Sequence, residues 1–254
     1  MFEAVVSKAT ILKKLIESLK DLISDVSLEC TPEGISIQAM DASHVSLVYL
    51  SLRAENFEEY NCTEGQSLGI SIASLSKVMK CGENDDQITL RAESNASMLS
   101  VIFQGKEDDR ISEFHLNLLS LDSEQMGIPE EEYPAVITMP SEEFSRVCRE
   151  LSQLSDTLNF EANKEKVTFS VKGDIGKGAI TLKHRPVSKK PVNIEVVENV
   201  SCSYAMRYLS MFNKASSLSE QVIMCSAEDK PLILHFHFEM GEIKYYLAPK
   251  VQED

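Results

Sequence analysis

The stretch LLSLDSEQMGIPEEEY, Leu118–Tyr133, lies near the middle of a chain of 254 residues. It has neither the 3.6-residue period of a helix nor the alternation of a strand. Gly127 and Pro129 break it, and Glu130, Glu131 and Glu132 charge it, yet it carries Leu118, Leu119, Leu121, Met126 and Ile128. A structureless connection of this length inside a compact chain is uncommon, and is usually functional or disordered. Its apolar content argues against disorder. The stretch therefore predicts a strap, 118–133, joining an N-terminal domain, 1–117, to a C-terminal domain, 134–254.

The two flanks resemble each other. Leu28–Gln38 (LECTPEGISIQ) lies over Phe160–Ser170 (FEANKEKVTFS) at an offset of 132, which also puts Leu12 on Phe144, Leu15 on Val147 and Leu19 on Leu151. Ser74–Lys80 lies over Tyr208–Lys214 at an offset of 134, and Gln87-Ile88 then falls on Gln221-Val222. Apolar and polar classes agree at a nearly constant offset, which predicts two copies of one fold.

Within each copy, helical spacing marks 9–23, 72–81, 141–154 and 203–214, with strand alternation between them. The chain is thus predicted to be α+β. Thr31-Pro32-Glu33-Gly34 reads as the turn of a hairpin between Val26–Cys30 and Ile35–Met40. Residues 61–69 read as a polar loop leading into a strand. Strands are also expected at 110–116 and 178–183.

Bulk numbers exclude several classes. No apolar run approaches the roughly 18 residues needed to cross a membrane, so no membrane role is expected. MFEAVVSK has neither the basic start nor the apolar block of a signal peptide. The six cysteines form no CxxC pair and no framework spacing, which points to reduced thiols. A net charge of −15 by itself argues against nucleic acid. That average hides a segregation. The four helical spans hold nine Lys and Arg against five Asp and Glu, while the rest of the chain holds 16 against 35. For any one helix such cations are the ordinary solvated face. Four helices related by duplication suggest instead a basic surface that can hold phosphates without reading bases.

No chemistry here demands an enzyme. Asp41-Ala42-Ser43-His44 contains triad residue types, but contiguous residues do not adopt triad geometry. His235 and His237 share a strand face but need further metal ligands, and none is evident. Gly173, Gly176 and Gly178 are not followed by the GK[ST] of a phosphate loop. No cofactor and no metal is expected.

Three strings are specific enough to name. MDASHVSLVYLSLR (Met40–Arg53), LDSEQMGIPEEEYP (Leu121–Pro134) and KYYLAPK (Lys244–Lys250) resemble the eukaryotic proliferating cell nuclear antigen family of DNA sliding clamps, and the similarity runs over essentially the whole chain. The resemblance implies two clamp domains per chain in a homotrimeric ring, with helices lining the hole around duplex DNA and antiparallel sheets outside. It implies a nuclear, non-catalytic processivity factor. It also implies DNA contacts from Lys13, Lys14, Lys20, Lys77, Lys80, Arg146, Arg149, Arg207 and Lys214. The family's DNA-binding stretch falls on Asn61–Lys80. Partners such as DNA polymerases, the clamp loader, flap endonuclease and DNA ligase would carry a short apolar peptide. Its implied pocket is Met40, His44, Val45, Leu47, Met126, Ile128, Pro129, Pro231, Tyr246, Ala248 and Pro249. Trimer contacts would pair 110–116 with 176–182 of the next subunit, and Lys164 matches a regulatory modification site. Gln153, where the family often has a cation, and the basic loop His184–Pro191 depart from the pattern.

Overall fold

Alternating burial sets most of the strands. A computed structural model describes residues 1–107, 110–121, 127 and 131–251. Its first elements are β1 (Phe2–Val6), α1 (Ala9–Leu19), β2 (Asp25–Thr31), β3 (Gly34–Met40), β4 (Ser46–Arg53), β5 (Glu59–Cys62), β6 (Gln66–Ser71), α2 (Ile72–Met79), β7 (Gln87–Ala92), β8 (Met98–Gln104) and β9 (Ile111–Asn117). There follow β10 (Ala135–Pro140), α3 (Ser141–Leu151), β11 (Thr157–Ala162), β12 (Lys166–Gly173), β13 (Gly176–Lys183), β14 (Asn193–Val196), β15 (Val200–Ala205), α4 (Met206–Phe212), β16 (Gln221–Ala227), β17 (Lys230–Phe238) and β18 (Gly241–Leu247).

Contacts divide the chain into two units. One is Met1–Ala42, Val48–Gly127 and Phe238–Glu242; the other is Ser43–Leu47, Ile128–His237 and Ile243–Asp254. In the first, strands follow the orders β5-β1-β7-β8-β9 and β4-β3-β2-β6. In the second the orders are β14-β10-β16-β17-β18 and β13-β12-β11-β15. These match position for position, with α1 answering α3 and α2 answering α4. The repeat visible in the sequence is thus a repeat of topology, and the α+β expectation holds.

Each unit closes on its own core. In the first, Phe2 meets Tyr60 edge-on at 6.1 Å, beside Leu12, Leu15 and Leu19 from α1. In the second, Phe212 stacks on Tyr245 at 4.5 Å and Phe144 meets Phe236 at 6.5 Å. Each fully buried aromatic or aliphatic side chain contributes about 1.5–3 kcal/mol. The Tyr204 hydroxyl, buried among them, shares a 2.8 Å hydrogen bond with Ser226 Oγ, which offsets the cost of desolvating it.

The boundaries differ from the sequence expectation in four ways. First, α1 ends at Leu19, not at residue 23. Leu22 and Ile23 are still buried, but by a turn whose amides both bond to Leu19 O, so the apolar pattern outlasts the helix. Second, α2, α3 and α4 likewise end early, at Met79, Leu151 and Phe212, not at residues 81, 154 and 214. Third, residues 203–205 belong to β15, paired with β11 from Thr157↔Ala205 to Ala162↔Val200. Helical spacing further on was extended backward over a strand. Fourth, the loop expected at 61–69 is largely strand, since Asn61 and Cys62 end β5 and residues 66–69 belong to β6. The β5 residues Glu-Tyr-Asn-Cys look polar because it is an edge strand, paired among the described residues with β1.

Candidate nucleic-acid interface

Helical period decides what each helix shows. In the first unit α1 and α2 lie side by side. Leu12, Leu15, Ile16 and Leu19 of α1 point down, as do Ile72, Leu75 and Met79 of α2. Lys14, Lys77 and Lys80 are left exposed. Ser71 Oγ accepts from Ser74 N at 3.4 Å and so caps the start of α2. In the second unit α3 packs against α4 and the 3₁₀ turn Asn213–Ser217. Phe144, Val147, Cys148 and Leu151 are buried beneath, and Arg146, Arg149 and Arg207 are exposed. Each unit thus carries a pair of helices with an apolar underside and a cationic outer face.

The nine expected DNA contacts are not equivalent. Lys13 is half-buried, and its Nζ donates to Gly82 O at 2.6 Å and Asn84 Oδ1 at 3.2 Å, tying α1 to the loop after α2. Lys20 pairs with Glu17 at 2.6 Å, and that hydrogen bond holds its ammonium above the ordinary lysine range. Arg146 pairs with Glu143 at 3.0 Å, and Arg149 approaches Glu150 at 3.8 Å. Exposed pairs of this kind contribute little and exchange readily for another anion. Arg207 lies 4.8 Å over the Tyr208 ring, which fixes its direction. Lys214 sits in the 3₁₀ turn beyond the end of α4 and is half-buried, so it does not share a helix face with Arg207 as its spacing suggested. The stretch 61–80 spans the end of β5, all of β6 and α2.

The expected peptide pocket is described in part. Met126, Ile128 and Pro129 lie outside the described residues. Met40 closes β3 with 40% of its surface exposed. In the second unit, Ala248 N donates to Val45 O at 3.0 Å, which brings residues 43–47 beside the chain that leaves β18. His44 and Ala248 are exposed, while Val45, Leu47, Tyr246 and Pro249 are half-buried. His44 has φ of 55°, a left-handed conformation that is uncommon outside glycine. Pro231 is exposed, and its carbonyl accepts from the Tyr133 hydroxyl at 2.9 Å. Burial pushes that phenol up to about 12, so Tyr133 stays a donor throughout the neutral range.

Lys164 is an exposed turn residue. Asn163 Oδ1 accepts from the amides of Glu165 at 2.9 Å and Lys166 at 3.0 Å, so the side chain before it shapes the turn. The six cysteines are free. Burial raises Cys148 to about 12 and Cys225 to about 11, which leaves both thiols protonated and unreactive near neutrality. Asp41 is buried, whereas Ser43 and His44 are exposed.

Two features escaped the sequence. Glu242 joins His235 and His237 to give three ligand atoms within 4.8 Å of one another on the β17–β18 hairpin. Lys244, two residues along the same strand from Glu242, shares its face, and its ammonium opposes a cation there. The other feature is a cavity at the start of α3, lined partly by the loop 184–191. The histidine pair was legible in the strand period, but Glu242 joins it only through the hairpin, and the cavity draws on residues far apart in the chain.

Comparison with known families gives two matches. The model of the N-terminal domain of proliferating cell nuclear antigen matches residues 1–126, and that of the C-terminal domain matches residues 127–250.

Proposed function

The chain belongs to the proliferating cell nuclear antigen family of DNA sliding clamps, and from that premise we propose that it works as a homotrimeric ring around duplex DNA. One observation carries this reading. In a chain of net charge −15, both units turn a helix pair with exposed Lys or Arg outward. Cations at fixed spacing along helices hold phosphates of any sequence, and a ring that read bases would be pinned in place. Three chains would bring together the helices that single units hold in pairs.

Edge strands supply the joint. In the first unit β9 ends its five-strand order, and in the second β13 ends its four-strand order. Both show exposed residues at alternate positions, and Ile111 at the start of β9 is 66% exposed. An open edge of this kind pairs readily with another strand. Pairing β9 of one subunit with β13 of the next is heterologous, and such contacts close into rings when the rotation allows.

On that ring we place the processivity function. The domains would be 1–117 and 134–254, with 118–133 as their connector. DNA polymerases, a clamp loader, flap endonuclease and DNA ligase would dock through a short peptide whose apolar anchor enters the surface around His44, Val45, Leu47, Pro231 and Tyr246. The protein would act in the nucleus, without catalysis, and Lys164 would be open to modification.

The deciding experiment loads the protein onto nicked circular DNA with a clamp loader and then linearises the DNA. A topological clamp stays on circles and runs off ends. Equal loss from both forms would defeat the ring. Native mass gives the stoichiometry independently, with one species of three chains expected.

A further inference from the structure

The loop HRPVSKKP, 184–191, is basic, and nothing in the ring reading uses it. Its residues Lys189 and Lys190 form one wall of a cavity of about 670 Å³ in the second unit. Its lining also takes in the 3₁₀ turn after α4 with Lys214 and the opening turn of α3. Three lysines thus line one cleft with two glutamates, Glu142 and Glu220. The remaining lining is mostly hydroxyl and amide.

Two polar groups in this cleft point to a ligand. Ser141 opens α3 with only 3% of its surface exposed, and its Oγ is buried without a hydrogen-bond partner. Such orphaned hydroxyls are uncommon and costly. Asn213 Oδ1 accepts from Ser145 Oγ at 2.7 Å and Ser216 Oγ at 2.9 Å. With its carbonyl held by two hydroxyls, the Asn213 amide keeps its NH₂ for an acceptor. Donors, ammonium groups and the positive end of an eleven-residue helix all ask for an oxyanion.

We propose that this cleft seats a phosphate of the DNA backbone. The proposal rests on the clamp reading above, because Lys214 belongs both to the cleft and to the expected DNA contacts. The cleft would extend that contact layer onto the loop 184–191, where the sequence departs from the family pattern. Glu142 holds Lys190 at 2.5 Å beside the cleft. An arriving phosphate replaces that carboxylate on the Lys190 ammonium, so the ion pair acts as a latch.

The test measures duplex binding by fluorescence anisotropy at several salt concentrations. For the full chain, Lys189→Ala with Lys190→Ala removes one phosphate contact and leaves binding about 3-fold less sensitive to a change from 50 to 200 mM salt. Glu142→Gln frees Lys190 and moves affinity the other way, to tighter binding at low salt. Lys164→Ala, an exposed cation outside the cleft, changes neither quantity. A wild-type chain that binds duplex normally while both cleft variants match it overturns the proposal and leaves the clamp reading standing. A wild-type chain with no salt-dependent binding defeats the clamp reading itself. Phosphorus resonance broadening of inorganic phosphate by the wild type, with an unchanged DNA salt slope in the variants, assigns the cleft to free phosphate and also overturns it.

Discussion

Strands β9 and β18 occupy the same place in the two copies, one after β8 and the other after β17, yet they are buried differently. In β18, Ile243, Tyr245 and Leu247 are fully buried. In β9, Phe114 and Leu116 are only half-buried. Strands β4 and β13 repeat the contrast in reverse. Val48, Leu50 and Leu52 of β4 are buried, while Gly178 and Ile180 of β13 are half-buried. Duplication copied the topology but not the surface. Each copy keeps one under-covered strand, and the two are different strands. A heterologous joint needs two unlike, complementary edges, which is what this asymmetry provides.

The sharpest test puts the same charge on both strands. Leu247→Asp in β18 buries a carboxylate in a full core and should cost about 4 kcal/mol or more, seen as loss of the folded signal in urea melts. Leu116→Asp in β9 should leave each chain folded by circular dichroism while the three-chain mass gives way to a single-chain mass. If Leu116→Asp left the trimer intact, the contrast in burial would have no bearing on assembly.

Two glycines give the next comparison. Gly34 and Gly176 both have positive φ, 144° and 151°. A Cβ at Gly34 would meet Leu52 O at 2.0 Å, while one at Gly176 would meet nothing within 4 Å. Gly34→Ala should therefore cost about 3 kcal/mol, combining strain and overpacking. Gly176→Ala should cost about 1 kcal/mol from strain alone. Thermal melts of the two variants rank them, and equal losses would mean that Leu52 O moves aside freely.

The two helix layers are compared through DNA. Lys14→Glu with Lys77→Glu alters the first copy, and Arg146→Glu with Arg149→Glu alters the second. Both pairs should leave the chain folded, and each should flatten the slope of log K against log salt by about 2. Unequal flattening would show that one copy carries more of the contact.

The smallest effect concerns Glu142. The hydrogen bond from Lys190, then its charge, holds this carboxyl below the ordinary glutamate range. A depressed folded pKa contributes stability above the unfolded pKa, and that stability is lost as pH falls through the folded value. Lys190→Ala should raise the Glu142 midpoint in a carboxyl carbon NMR titration. The stability difference between the two proteins should vanish on the acid side.

Much of this was legible in single residues. The stripe Leu12, Leu15, Ile16, Leu19 announced α1, and Thr31-Pro32-Glu33-Gly34 announced a turn that only Gly34 can complete without strain. The exposed cations of α2 and α3 followed from the same helical period. What was not legible came from competing partners. Ser203-Tyr204-Ala205 fit a helical spacing, but β11 offered a strand to pair with and won. Lys13 looked like its neighbour Lys14 until Gly82 and Asn84 claimed it. Lys189 and Lys190 gave no sign of sharing a cleft with Lys214, since 24 positions of chain separate the loop from the turn.

By itself the sequence determined the duplication, the element types and the sign of charge each helix displays, because these depend on the order of apolar and polar residues along a few turns of chain. Tertiary structure alone decided which strands end a sheet, which cations are already bound to a neighbour and what lies at the mouth of α3. Those depend on distance in space, and a residue's nearest partner in a folded chain is seldom its nearest in sequence.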